Sequence, residues 1–320
     1  MPSADVGDPV AWPPVVVIVG PTAAGKSEVA IEVSRILGGE VVNADAFQVY
    51  RGMDIGTAKV SPAERRGIVH HLLDFLDVTE DLSVAQYQQA GREVLLRLGS
   101  RSVPAVVVGG SGLYVRALLD DLRFPGSDPA IRGRWEARLA EVGPEQLHRI
   151  LAERDPEAAA HILPTNGRRI VRALEVGELT GEPFTAQLPA AGPPLVPHVS
   201  VGLDLPRDLL DERIRARVGR MFEAGLVEEV RALLSVGLRD GRTASRALGY
   251  PQVIDLLDGR LDRAQAEEGI VLGTRRFARR QQRWFHRDPR TTWLDATATP
   301  SSTASLIASL MGEPARRLGP

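Results

Sequence analysis

Gly20-Pro21-Thr22-Ala23-Ala24-Gly25-Lys26-Ser27 is the stretch whose reading decides the fold. It matches G-x-x-x-x-G-K-[ST], and its flanks match too: an unbroken β-branched run over 15–19 precedes it and a helix-forming run over 27–37 follows. Strand, glycine loop and helix in that order separate a phosphate loop from a chance string. Glycines at 20 and 25 let the backbone turn tightly and aim successive N–H groups inward at a helix N-terminus, which favours an anion. Gly20, Thr22, Ala23, Ala24, Gly25, Lys26 and Ser27 are therefore the expected diphosphate-binding set. Lys26 adds a mobile positive charge, and the Ser27 hydroxyl suits a Mg²⁺ position.

Around this loop the chain reads as α/β, a P-loop NTPase-like parallel sheet flanked by helices with an all-helical insertion domain. Continuous apolar runs, the mark of buried parallel strands, lie at 15–19, 104–110 and 198–205, with a shorter one at 291–294. A further strand over 40–45 delivers Asp45 at its carboxyl end, where open α/β sheets bind ligands. An ordinary aspartate in a strand-to-loop turn is the alternative on position alone. Residues 47–59 are glycine-punctuated and lack a period, which suggests an ordered functional loop. Ser83 can cap a helix to about 98, with Val84, Tyr87, Val94 and Leu98 inward. The strand at 104–110 ends Val-Gly-Gly-Ser, without the acidic residue of a second phosphate motif, which argues against an ordinary ATPase.

From 127 to about 181 the texture changes to short helices at 128–142, 144–154, 156–163 and 166–179, each opened by Pro, Asp or Asn. Later helices are expected at about 207–224, 226–234, 245–257, 262–286 and 302–311. The expected organisation is a lead-in over 1–12, a core over 13–126 and 198–313, a helical lid and connector over 127–197, and a flexible tail over 314–320. At 320 residues, one large domain with an insertion or two domains is the natural prior. The cysteine-free composition excludes disulfides and thiolate metal sites and suits a reducing compartment. The lead-in lacks a basic start before an apolar stretch, and no run is long enough to cross a bilayer. These features predict a cytoplasmic protein without membrane association, and nothing in them demands more than a monomer.

The formal net charge of −2 hides concentrated basic patches. On a helix over 274–287, Arg275, Arg276, Arg279, Arg280, Arg283 and Arg287 fall within a sector of about 140° at 100° per residue. Phe277, Ala278, Trp284 and Phe285 take the other side, and no acid intervenes before Asp288. A salt-bridged solvent face normally mixes signs, so this stripe suits a structured RNA, although a solvated face stays open. Arg168, Arg169 and Arg172 form a second cluster, and Arg132, Arg134 and Arg138 decorate the first insertion helix.

These residues together resemble the tRNA dimethylallyltransferase (tRNA isopentenyltransferase) family. Four segments carry the likeness: the glycine loop; Asp45-Ala46-Phe47-Gln48-Val49-Tyr50-Arg51-Gly52-Met53-Asp54-Ile55-Gly56-Thr57-Ala58-Lys59; Gly109-Gly110-Ser111-Gly112-Leu113-Tyr114; and Ser245-Arg246-Ala247-Leu248-Gly249-Tyr250. The likeness extends over about 15–294 and is supported by His70-His71-Leu72-Leu73-Asp74 and Asn166-Gly167-Arg168-Arg169-Ile170-Val171-Arg172. It implies transfer of a dimethylallyl group from dimethylallyl diphosphate, with Mg²⁺, to N6 of the adenine 3′ to the anticodon in a tRNA anticodon stem-loop. Ser111 stands where the family usually has threonine, keeping the hydroxyl but losing the methyl that fixes its rotamer. Bacterial members lack the zinc-finger extension of eukaryotic ones, and the absence of cysteine agrees.

An exocyclic amine needs a proton acceptor as its new C–N bond forms, and Asp45 is the expected base. The resemblance places a leaving-group arginine at Arg217, within Arg213-Ile214-Arg215-Ala216-Arg217, and gives Ser111 the bridging oxygen or the base to position. It also implies tRNA contacts at Asp45, Ala46, Phe47 and Gln48, at Arg168, Arg169, Ile170, Val171 and Arg172, and at Arg246, Ala247, Leu248, Gly249, Tyr250 and Pro251, with Ser111 and Arg132 as further contacts. Arg132 matches by its position after Asp128-Pro129; a solvated helix arginine fits equally. The stripe adds Arg275, Arg279, Arg280 and Arg283, and Gln48 is expected to read an adenine edge through paired hydrogen bonds. A small-molecule or nucleotide kinase, or a non-catalytic nucleotide-switched RNA-binding protein, are the rival readings.

Overall fold

The computed structural model describes residues 12–184 and 192–312. The remaining lead-in, connector and tail residues lie outside the described residues. Trp12, expected in the lead-in, is half-buried against the core.

Strand β1 (Val15–Val19) is buried along its whole length. Its side chains alternate between two cores. Val16 and Ile18 enter one, and Val15, Val17 and Val19 enter the other. That two-sided burial is why the run is continuous rather than alternating. The chain then forms α1 (Lys26–Leu37), β2 (Glu40–Asn43), β3 (His70–His71), α2 (Val84–Ser100), β4 (Ala105–Val108) and α3 (Gly112–Leu119). After the insertion it returns as β5 (Val199–Asp204). The insertion helices, met first along the chain, are α4 (Pro129–Arg154), α5 (Pro156–His161) and α6 (Gly167–Thr180). After β5 come α7 (Arg207–Glu223), α8 (Leu226–Ser235), a 3₁₀ turn over Ala244–Arg246, α9 (Tyr250–Leu257), α10 (Arg263–Phe285), β6 (Thr291–Asp295) and α11 (Pro300–Gly312).

The sheet order is β3-β2-β4-β1-β5-β6, with every described pair parallel. From β1 the chain passes over β4 to reach β2, and later returns to β5 on the other side of β1. The carboxyl ends of β1 and β4 therefore flank the point where the winding reverses, the usual ligand crevice of such sheets. The glycine loop leaves β1 there, Ser111 follows β4, and Asp45 follows β2.

Local signals shape several boundaries. Ser83 caps α2 in a capping box with Gln86, as expected. The strand expected over 40–45 stops at Asn43, which frees Asp45 from the ladder. The helix expected over 245–257 begins only at Tyr250, because Gly249 sits at φ 104° and Pro251 belongs in a first turn. Strand β3 is a polar two-residue element at the sheet edge, too short to carry a period.

Leu122–Gly192 forms a second compact unit, the remainder of the described chain forming the first. Within it, α4 to α6 share a core that includes Leu147, Leu151, Ile162, Ile170, Val171 and Leu174. Asp128, Asp155 and Asn166 cap the three helices, and α4 is broken at Gly143, where φ is 78°. Among the described residues, no helix is long and apolar enough to cross a membrane.

Candidate active site

The glycine loop is shaped by sterics before chemistry. Gly20 sits at φ 134°, and a Cβ there would press on the Leu203 carbonyl. Gly25 sits at φ 86°, and Ala23 holds a left-handed φ of 67°, a strained conformation for a residue with a side chain. The amides of Gly25, Lys26 and Ser27 meet no protein acceptor among the described residues, which leaves them for an anion at the α1 N-terminus.

Thr22 departs from the expected arrangement. Its amide donates to Gln281 Oε1 at 2.8 Å, away from any nest, and its Oγ1 accepts from Arg217 Nη1 at 3.1 Å. Lys26 Nζ donates to the Pro21 carbonyl at 2.7 Å. Burial, aided by the Arg217 charge and opposed by Asp45, brings the Lys26 ammonium down to about 7. Burial likewise pulls the Arg217 guanidinium below its usual value. Two partly desolvated cations with one nearby carboxylate form a cluster whose net positive charge a diphosphate would balance.

Asp45 is half-buried, and burial raises its carboxyl above the usual aspartate range, against the Phe47 amide, the Lys26 charge and the Gln48 amide. Its Oδ1 accepts from the Phe47 amide at 2.9 Å. Asn43 braces the turn, accepting from the Asp45 amide at 3.2 Å and donating to the Leu72 carbonyl at 3.0 Å. Tyr87 donates to the Asn43 carbonyl at 3.0 Å and stacks on Tyr114 at 4.2 Å. The Ser111 hydroxyl accepts from the Ala46 amide at 3.2 Å, and the Ser111 amide donates to the Ala44 carbonyl at 3.3 Å. A side chain at Gly109 would overlap the Ala44 carbonyl, so the missing Cβ is what lets the β4 exit lie against the β2 exit.

The loop after Asp45 is tied down by groups far away in the chain. Lys59, almost wholly buried, donates to the Tyr50 carbonyl at 2.7 Å, to Asp54 at 2.6 Å and to Asp74. Glu229 on α8 accepts from the Asp54, Ile55 and Gly56 amides at 3.0, 2.6 and 3.0 Å, and from the Tyr250 hydroxyl at 2.7 Å. Gln48 Nε2 donates to the Thr57 and Ala58 carbonyls at 3.1 and 3.5 Å. One N–H of Gln48 is thereby tied to the Thr57 carbonyl, the Ala58 contact lying at the outer limit of hydrogen-bond reach.

Several expected RNA contacts carry buried side chains. Tyr250 is fully buried and Ala247 nearly so, both in the core beneath the sheet, while Arg246 is exposed and Leu248 half-buried. In the second unit, Ile170 and Val171 belong to the local core, and Arg168 and Arg169 are exposed. Arg172 pairs with Glu175 at 3.0 Å and donates to the Pro125 and Gly126 carbonyls. Arg132 pairs with Glu136 at 3.2 Å, Arg134 with Glu178, and Arg138 with Glu141 at 2.6 Å, so these three are neutralised rather than a bare basic face.

The stripe on α10 is real but narrower than its helical projection. Arg275 is half-buried and turns to Asp211 at 3.5 Å. Arg276, Arg279, Arg280, Arg283 and Arg287 are exposed, with no carboxylate partner among the described residues. Arg280 lies over the Phe277 ring at 5.6 Å. Arg279, Arg283 and Arg287, with Gln282 and His286, share one open face at the end of α10. Trp284, expected to pack, is 37% exposed, though its indole edge fills the space a Gly112 side chain would take.

Sequence reasoning missed Glu229 and Gln281. A glutamate in an amphipathic helix carries no local signal. Gln281 did carry one: it shares the 278, 281, 285 spacing with Ala278 and Phe285, a polar residue on an apolar face. For a divalent cation, Ser27 offers a hydroxyl in the first turn of α1, and the described residues hold no cluster of three His, Asp or Glu. Mg²⁺ bound through substrate phosphates needs only one or two protein oxygens, so this donor set fits it.

A family model described as IPP transferase matches residues 48–288. A tRNA dimethylallyltransferase of Kineococcus radiotolerans is 60% identical over 289 residues, covering 88% of this chain and 91% of that protein. Another, from Rhodococcus jostii, is 54% identical over 304 residues, covering 95% and 97%. Among solved structures, a full-length tRNA isopentenylpyrophosphate transferase of Bacillus halodurans superposes with a TM-score of 0.69 at 37% identity, covering 95% of this chain and 98% of that one. With the phosphate loop, the Asp45 turn and the Ser111 turn following neighbouring strands at the carboxyl end of the sheet, this chain belongs to the IPP transferase family.

Proposed function

We propose that the protein transfers a dimethylallyl group from dimethylallyl diphosphate to N6 of the adenine 3′ to the anticodon of tRNA, releasing diphosphate. One observation carries the reading: at the phosphate loop the half-buried Lys26 and the Thr22-bound Arg217 lie near the half-buried Asp45 carboxylate, which burial makes more basic. That combination suits departure of a diphosphate with deprotonation of an attacking amine.

The adenine N6 attacks C1 of the dimethylallyl group while the C1–O bond breaks and its electron pair stays on the diphosphate. The N6 proton passes to Asp45, whose raised affinity for a proton makes it the better base. Charge gathering on the leaving oxygens is met by the Gly25, Lys26 and Ser27 amides, by Lys26 and by Arg217. Ser111 holds the Asp45 turn through Ala46 and keeps its own proton to donate toward the bridging oxygen. Ser27 is the residue to hold Mg²⁺, which supplies further charge neutralisation on the diphosphate when bound.

To reach this site the adenine leaves the anticodon-loop stack, as bases do in base-modifying enzymes. Gln48, anchored through Nε2 to the Thr57 carbonyl, presents Oε1 to accept from an amino group and so favours a base with an exocyclic amine. Arg279, Arg280 and Arg283 bind the RNA backbone, joined by Arg246, Arg168 and Arg169. A cytosolic monomer suffices for this cycle.

Incubating the protein with tRNA, Mg²⁺ and labelled dimethylallyl diphosphate tests the reading, with labelled ATP as control donor. Label in the tRNA from the prenyl donor alone is expected. ATP turnover onto a small acceptor would replace this reading with a kinase.

A further inference from the structure

We infer that Gln281 is a positioning residue for prenyl transfer, holding the donor loop and the Ser111 turn in fixed relation. The inference rests on the transferase reading of the site. Gln281 is 5% exposed on the inward face of α10. Its Oε1 accepts from the Thr22 amide at 2.8 Å, and its Nε2 donates to the Gly110 carbonyl at 3.0 Å. One amide therefore spans two separate loops. The first carries Lys26 and Ser27 and has Thr22 bonded to Arg217; the second carries Ser111, which holds the Asp45 turn.

Gly110 is shaped to this contact, because a Cβ there would overlap the Gln281 amide. Both backbone groups lie at loop bends where no strand neighbour serves them, so removing the side chain leaves a buried donor and acceptor unmatched. The base is built on one side of the bridge and the leaving-group cations on the other. Their mutual distance is what an aligned displacement depends on, and about 1 Å of misplacement can cost about a hundredfold in rate. The arginines expected to meet RNA project from the opposite face of α10, so their binding should not need the bridge.

The experiment compares Gln281→Met, Gly110→Ala and the double variant by single-turnover prenyl transfer at saturating donor and tRNA, with tRNA Kd and Tm measured in parallel. Gln281→Met is expected to lose about tenfold to a hundredfold in rate while tRNA Kd stays within about twofold. Gly110→Ala should lose a similar factor, and the double variant no more than about twofold beyond the worse single, since both remove one bridge. A Gln281→Met rate within about twofold of the parent, fully additive losses, or a loss tracking tRNA affinity or the folded fraction would each overturn the inference. Should Gln281→Met not fold, Gln281→Glu keeps the acceptor for Thr22 and loses the donor for Gly110; a loss of about tenfold with tRNA Kd unchanged is then expected, and a rate within about twofold of the parent overturns the inference. If the parent protein transfers no label, the transferase reading fails on its own; the bridge is then read from inorganic pyrophosphate affinity, which Gln281→Met should weaken several-fold and which, if unchanged, refutes it.

Discussion

Replacing Asp45 by asparagine separates the chemistry of the site from its geometry. Asparagine keeps an Oδ1 to accept from the Phe47 amide, now at 2.9 Å, and it keeps the side-chain volume, so the turn after β2 should persist. What disappears is a basic oxygen. General-base catalysis contributes about 10²- to 10⁴-fold, or about 2.7–5.4 kcal/mol of barrier. Burial raises the Asp45 carboxyl and with it the driving force for taking the N6 proton, so a loss of at least about a hundredfold is expected. A second loss adds to it near neutral pH. The Asp45 charge helps keep Lys26 protonated, and without it the ammonium falls below its value of about 7. In kcat/KM for the donor, which reports the free enzyme, the deficit should therefore grow between pH 6 and pH 8. Stability should move the other way: a carboxyl whose folded-state value is raised destabilises the fold when ionised, so a neutral isostere leaves Tm unchanged or higher at pH 7. The assay is single-turnover transfer at saturating substrates at pH 7, with kcat/KM for the donor followed across that pH range and thermal melts alongside. A rate within tenfold of the parent at pH 7, with Tm intact, would remove Asp45 as the base.

The pH profile of kcat/KM for the donor should fall as pH rises through about 7, because the free enzyme then loses the Lys26 charge; Lys26→Arg should abolish that alkaline limb, and a flat parent profile between pH 6 and 9 would contradict it. The acid limb should lie above the ordinary aspartate value of about 3.9, since activity needs Asp45 ionised and burial raises it. Arg279→Glu with Arg283→Glu should weaken tRNA binding and flatten its salt dependence by about one unit of log–log slope for each phosphate left without its arginine, an outcome checked by titration across a salt series. Glu229→Gln leaves one accepting oxygen and turns the other into an NH2 donor, so at least one of the three loop amides loses its acceptor and the others lose the charge; a loss of about 1–3 kcal/mol is expected in urea melts, together with a higher KM for tRNA as Gln48 loosens. Unchanged stability would show that the loop does not depend on that carboxylate.

The glycine loop, the buried strands, the capped helices and the break at Gly143 were legible in one dimension. Each is a constraint between residues a few positions apart: a φ only glycine tolerates, a period of two or 3.6, a cap three residues from its amide. The position of Asp45 at a strand end was legible for the same reason, and so was the crowding of arginines on one helix. What stayed hidden was which groups answer each other across the fold. Gln281 lies 259 residues from Thr22, and Glu229 lies 173 residues or more from the amides it binds. Arg275 looked like part of an open stripe until Asp211 faced it, and Arg132, Arg134 and Arg138 until their carboxylates did. Sequence by itself settled the phosphate loop and the sheet that presents it, because backbone sterics and burial periodicity are local. The pairing of charges and the bracing of the loops around the site were decided only by tertiary structure, because electrostatic and hydrogen-bond energies depend on distances that chain order does not contain.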